Sequence, residues 1–139
     1  MQTRRTVPYT PDEVYAAFSD PDRLAKWWGP KGFTNTMETF EFRAGGSWKF
    51  VMHGPDGANF RNDSVFKELE AGKKIVIRHA SSPQFTLTVS LIPGDNCTQV
   101  LWIQEFDDPK LAAAIRHIAE PANEQNLDRL QMHLRGELG

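Results

Sequence analysis

The chain holds a single cysteine, Cys97, which excludes an internal disulfide and any zinc site built on several thiolates. No apolar run approaches the roughly 20 residues a bilayer-spanning helix needs, so no membrane partner is expected. An excess of basic residues is missing as well: 16 Lys and Arg stand against 18 Asp and Glu, a net charge of −2. Nucleic acid is therefore not an expected partner either. Glycine clusters occur, but Gly45-Gly46 and Gly54-Pro55-Asp56-Gly57 fall between extended segments and read as hairpin turns rather than phosphate-cradling loops. His53, His117 and His133 lack metal-ligand spacing with one another or with Cys97 and read as surface or turn residues, so no metal or other cofactor is expected. No serine sits on a strand-to-helix turn of the nucleophile-elbow kind. With no export signal, repeat or Pro/Gly/Ser-rich linker, the 139 residues read as one domain of a cytoplasmic protein.

The strongest periodic signal runs from Asp108 to Leu138. Leu111, Ile115, Ile118, Ala122, Leu127, Leu130, Leu134 and Leu138 recur mostly three or four apart, the stripe of an amphipathic helix that must be buried on something. Arg116, Glu120, Glu124, Asp128, Arg129 and Arg135 fall mainly off the stripe and read as a wet outer face. Pro121 removes a backbone donor, which predicts a kink or short break near His117 to Glu120.

The rest of the chain supplies the surface. Gln2 to Val7 reads as a first strand. Thr10-Pro11-Asp12-Glu13 is a capping box with proline at the first helical position, opening a helix to about Ser19. Asp20-Pro21-Asp22 repeats that chemistry and starts a second short helix carrying Leu24, Trp27 and Trp28. Beyond Phe33 the period becomes two. Met37, Thr39 and Glu41 alternate with Glu38, Phe40 and Phe42, and Trp48, Phe50 and Met52 with Lys49, Val51 and His53. Phe60–Glu70, Lys74–Ala80, Phe85–Ile92 and Thr98–Phe106 continue the pattern across short turns, an antiparallel meander. The charged stretch Lys67-Glu68 to Lys73-Lys74 reads as a solvated hairpin end. A twisted sheet of about seven strands and a long helix each have one apolar face to cover, so they should face each other in an α+β fold. A curved sheet around a helix easily leaves a concave apolar space, the default place for a ligand.

The stretch from Phe18 to Pro30, FSDPDRLAKWWGP, resembles the signature of the family homologous to the C-terminal domain of the heat-shock-protein-90 ATPase activator. That family lies within the START-like, polyketide-cyclase and birch-pollen-allergen-like (SRPBCC) superfamily. Lys31-Gly32-Phe33-Thr34, the run Gly45 to Gly57 and Asn123-Glu124-Gln125-Asn126-Leu127-Asp128-Arg129-Leu130 extend the likeness over nearly the whole chain. The resemblance implies a helix-grip (START-like) fold with a hydrophobic cavity. It leaves the role open, since members include co-chaperone domains, lipid carriers and cyclases.

Alternation turns one set of side chains toward that cavity: Trp48, Phe50, Met52, His79, Phe85, Leu87, Trp102 and Gln104, with Leu127 from the helix. Trp27 and Trp28, beside Gly29-Pro30, are candidates for its mouth, or simply for packing. His79 and Gln104 would orient a ligand in a greasy pocket, or else pair with each other or a buried water. The expectation is a binding protein for an apolar or aromatic small molecule. A chaperone-activating module working through its surface is the alternative, and a cyclase- or dehydratase-like enzyme using a neutral His79 as base is a third reading. A homodimer is compatible with so small a domain, and no sequence feature demands it.

Overall fold

The computed structural model describes residues 1–137 of the 139. Its order is β1 (Gln2–Val7), α1 (Pro11–Ser19), α2 (Pro21–Trp27), β2 (Thr34–Phe40), β3 (Ser47–His53), β4 (Asn59–Glu70), β5 (Lys74–His79), β6 (Phe85–Gly94), β7 (Cys97–Phe106) and α3 (Pro109–Leu134). The seven strands form one antiparallel sheet in the order β1-β7-β6-β5-β4-β3-β2. The sheet wraps α3, the α+β helix-grip arrangement.

Local chemistry sets the helix starts. Thr10 and Glu13 form a reciprocal capping box at α1, at 3.2 and 3.1 Å. Asp20 and Asp108 accept the second amide of α2 and α3, each at 2.9 Å and each followed by proline at the first helical position. The core is rich in rings: Phe18, Trp27, Trp48, Phe50, Phe66 and Trp102 are all essentially solvent-free. Trp48 is its centre, stacked on Phe50 at 4.2 Å and on Phe66 at 5.6 Å, and edge-on to Trp28 at 5.0 Å.

Several details differ from the sequence expectation. α3 runs through Pro121 without a break, since proline's fixed φ is itself helical and the lost donor costs one bond, not the helix. The register shifts between Met37 and Thr39 in β2, a bulge that inverts the side-chain phase. Met37, Phe40 and Phe42 therefore all pack on the core, instead of Met37 sharing a face with Thr39 and Glu41. A second bulge between Phe66 and Glu68 does the same in β4, bringing Leu69 inward. The helical stripe is only half buried: Leu127 and Leu130 are in the core, Leu134 packs against it, and Ile118 is 62% exposed. Leu138 lies outside the described residues.

Candidate functional site

Beneath the Ala122–Asn126 stretch of α3 the sheet and helix leave between them a cavity of about 220 Å³. Strand alternation turns Trp48, Phe50 and Met52 of β3, His79 and Ile77 of β5, Phe85 and Leu87 of β6, and Trp102 and Gln104 of β7 onto its wall. Trp28, Gly29 and Pro30 close the side next to α2. Two candidates lie elsewhere. Leu127 faces the packed core, and Trp27 is fully buried with its indole donating to the Ala17 carbonyl at 3.1 Å. Trp28 lines the wall, at 8% exposure, rather than forming a lid. Asn62 and Ser64, which the sequence reading passed over, also reach the cavity. Their signal was present, since they precede the inward-facing Phe66 by four and two residues on one strand.

Two polar groupings stand on this wall, and His79 and Gln104 do not pair with each other. Gln104 Oε1 accepts from Asn123 Nδ2 at 2.9 Å, and Asn123 Oδ1 accepts the Trp102 indole N–H at 3.2 Å, which ties the cavity side of β7 to α3. His79 places Nδ1 2.8 Å from the Pro83 carbonyl and Nε2 2.6 Å from Asn62 Oδ1. Burial pushes the His79 pKa below its ordinary value, with the Pro83 carbonyl pulling the other way. Ser64 is buried and its hydroxyl has no partner among the described residues.

The cavity opens outward past Pro30, Met52, Asn62, His79 and Pro83, where Phe33, Phe60 and Ile118 form an outer rim. Phe60 is 50% exposed there, and this rim is where Ile118 of the helical stripe ends up. A broader groove between β1 and α3, lined by Met1, Thr3, His117 and Glu124, is open to solvent and has no aromatic wall.

One wall of the cavity is held by polar bonds from α3. Arg129 was expected on a wet face, yet it is half-buried and donates to five carbonyls. Its Nη1 reaches Trp28, Gly29 and Pro30 at 2.9 to 3.0 Å, and its Nη2 reaches Lys26 and Phe33 at 2.8 and 2.9 Å. Asn126 grips the same segment, donating to the Trp27 carbonyl at 3.0 Å and accepting from the Gly29 amide at 3.2 Å. The Lys26, Trp27 and Trp28 carbonyls are orphan acceptors at the end of α2, where a guanidinium also complements the helix dipole, and those of Gly29, Pro30 and Phe33 belong to the loop beyond. His133, expected at the surface, is partly buried and stands 3.1 Å from Arg23 Nε. Among the described residues no group of three His, Cys, Asp or Glu is placed to hold a metal ion, and no helix is long and apolar enough to cross a membrane.

The model of the family described as Activator of Hsp90 ATPase homolog 1-like protein matches residues 8–135. No curated protein matches the chain. Among solved structures, a protein of Nitrosomonas europaea superposes with a TM-score of 0.89 at 20% identity, over 99% of this chain and 94% of that one. A protein of Chromobacterium violaceum gives 0.85 at 26% identity, over 94% of both chains. An AHSA1-like protein of Aeromonas hydrophila gives 0.75 at 19% identity, over 98% and 93%.

Proposed function

The chain belongs to the Activator of Hsp90 ATPase homolog 1-like family, and from that premise we propose that its cavity takes up a small apolar or aromatic molecule. The observation that carries this reading is unfilled volume in an otherwise dense interior. Protein cores leave few voids larger than a water molecule, because wall atoms facing a void lose their dispersion contacts. Left dry, a space of about 220 Å³ would cost on the order of 5 kcal/mol; the open mouth admits water instead, at the cost of wetting an aromatic wall. An occupant that touches the rings of Trp28, Trp48, Phe50, Phe85 and Trp102 removes that cost. The volume lies below the roughly 300 Å³ at which drug-sized pockets begin, which favours one or two rings over a long lipid.

Because three tryptophans form the wall, ligand entry is read directly from intrinsic fluorescence. Leu87→Phe puts a larger ring into the space from the wall opposite α3. Binding of indole, used as an apolar probe, is expected to weaken at least about tenfold, while the thermal midpoint stays near that of the parent because the ring fills space that is already there. Unchanged indole affinity in a folded Leu87→Phe variant would sink the cavity reading.

A second reading draws on the family's description and on the apolar rim: activation of a chaperone ATPase through a surface that includes Phe60 and Ile118, which are 50% and 62% exposed. It predicts that the protein raises the ATPase rate of a bacterial Hsp90 and that Phe60→Ser with Ile118→Ser removes the effect without touching indole binding. No stimulation at saturating protein would retire it. The enzyme reading has the least support, because both His79 nitrogens already face protein oxygens.

A further inference from the structure

The polar groups on the cavity wall differ in what they have left to offer a ligand. Asn62, Asn123 and Asn126 each use both their amide oxygen and their amide nitrogen on protein partners. Ser64 does not. Ser64 is 3% exposed, lines the cavity, and its buried hydroxyl has no partner among the described residues. A hydroxyl left so costs free energy unless something in the cavity bonds to it. The β4–β5 ladder sets Ser64 directly opposite His79, on the same face of the sheet.

His79 itself is arranged for a charge. Both of its nitrogens face oxygens: the Pro83 carbonyl, and Asn62 Oδ1, whose amide is oriented by Nδ2 donating to the Phe60 carbonyl at 3.0 Å. Only the imidazolium donates from both nitrogens. In the neutral ring one lone pair would point at an oxygen, with the Ser81 hydroxyl at 3.4 Å the one donor beside it. The ring also lies flat on Phe85, centroids 4.5 Å apart and 10° from parallel, which suits a cation. Yet among the described residues no Asp, Glu, Lys or Arg lines the cavity. Of the charges that act on the ring, Asp63 of β4 favours the imidazolium and Arg78 of β5 opposes it, and Arg78 is itself paired with Asp107. Among the described residues, α3 and the segment after α2 contribute Ala122, Asn123, Asn126, Trp28, Gly29 and Pro30, none of them charged. The hydrogen bonds await a cation whose counter-charge the protein does not supply.

We propose that the occupant is a small aromatic or alicyclic monocarboxylate, held by the Ser64 hydroxyl and matched in charge by a proton taken up on His79. This rests on the cavity reading above and narrows its ligand class. The carboxylate oxygen accepts the Ser64 O–H, the hydrocarbon ring lies among the tryptophans, and the proton on His79 comes from solvent.

The test is isothermal titration of benzoate, phenylacetate and 3-phenylpropanoate against their neutral amides, near pH 6.5, in two buffers of different ionisation enthalpy. At least one acid is expected to bind about tenfold or more tighter than its amide, as a charge-assisted hydrogen bond with a compensated charge requires. It should take up a fraction of a proton approaching one, and its advantage should shrink as pH rises. Ser64→Ala should weaken the acid about tenfold and the amide much less, and His79→Gln should abolish proton uptake. Equal affinity of acid and amide, or acid binding without proton uptake, overturns the inference. Indole separates the two levels: if it binds and no acid does, this inference fails and the cavity reading survives; if neither binds, both fail.

Discussion

Replacing Arg129 by methionine is expected to lower the stability of the protein by about 3 kcal/mol, and its thermal midpoint by roughly 10 °C. The methionine keeps the apolar stem but strands five carbonyls that converge on one guanidinium. Hydrogen bonds from a charged donor contribute about 1.5 to 3 kcal/mol each when fully buried. The sum is discounted here because Arg129 is only half-buried and water can reach part of the segment. Lysine should recover little, since a single ammonium cannot serve carbonyls spread from Lys26 to Phe33. Urea and thermal unfolding followed by far-UV circular dichroism measure both variants. A full rescue by lysine would mean that charge at the end of α2, not the planar fork, is what the segment needs.

Trp48→Ala should have an effect of similar or greater size, about 4 kcal/mol, within the range for removing a buried aromatic. Trp48 touches Trp28, Phe40, Phe50 and Phe66, and its indole N–H points at the Met37 sulfur at 3.1 Å. Its neighbours come from β2, β3, β4 and the end of α2, so they cannot collapse together into the gap. Trp48→Phe, which keeps a ring on the Phe50–Phe66 stack, should recover roughly half of the loss. The check is chemical denaturation at constant denaturant slope; a loss below about 1 kcal/mol for alanine would show that the cluster re-forms around the gap.

The fold was readable in the sequence because its signals are local. The capping box at Thr10, the Asp-Pro helix starts and the period-two strands are written within a few residues of where they act. The cavity wall on β3, β5, β6 and β7 followed from alternation alone. Alternation failed where a bulge changed the phase, at Met37–Thr39, because one inserted residue leaves no compositional mark. It also passed over Asn62 and Ser64, whose polarity hid that they continue the inward face of Phe66. Arg129 was misplaced for a different reason. Helical spacing ranks positions by polarity, and an arginine counts as wet, whereas its surroundings are backbone carbonyls some hundred residues away. Two of the stretches that carry the family resemblance, Phe18–Pro30 and Asn123–Leu130, turn out to be bonded to each other through Asn126 and Arg129. Those residues hold one wall of the cavity and do not themselves choose an occupant.

That long-range grip also sets an order of events for a chain leaving the ribosome. β1 is made well before its partner β7, Gln2 pairing opposite Ile103, and the carbonyls of Trp27 and Lys26 meet their donors only when Asn126 and Arg129 arrive, 99 and 103 residues later. The hairpins from β2 to β7 emerge after α1 and α2, which already pack on part of the sheet's apolar face, yet the part under α3 stays open until that helix is complete. Folding is therefore a late, concerted event that pays loop-closure entropy before its non-local contacts form, which places it among slow-folding topologies. Until then the Trp102 indole lacks the Asn123 acceptor it bonds in the folded protein, and the sheet around it is only partly covered.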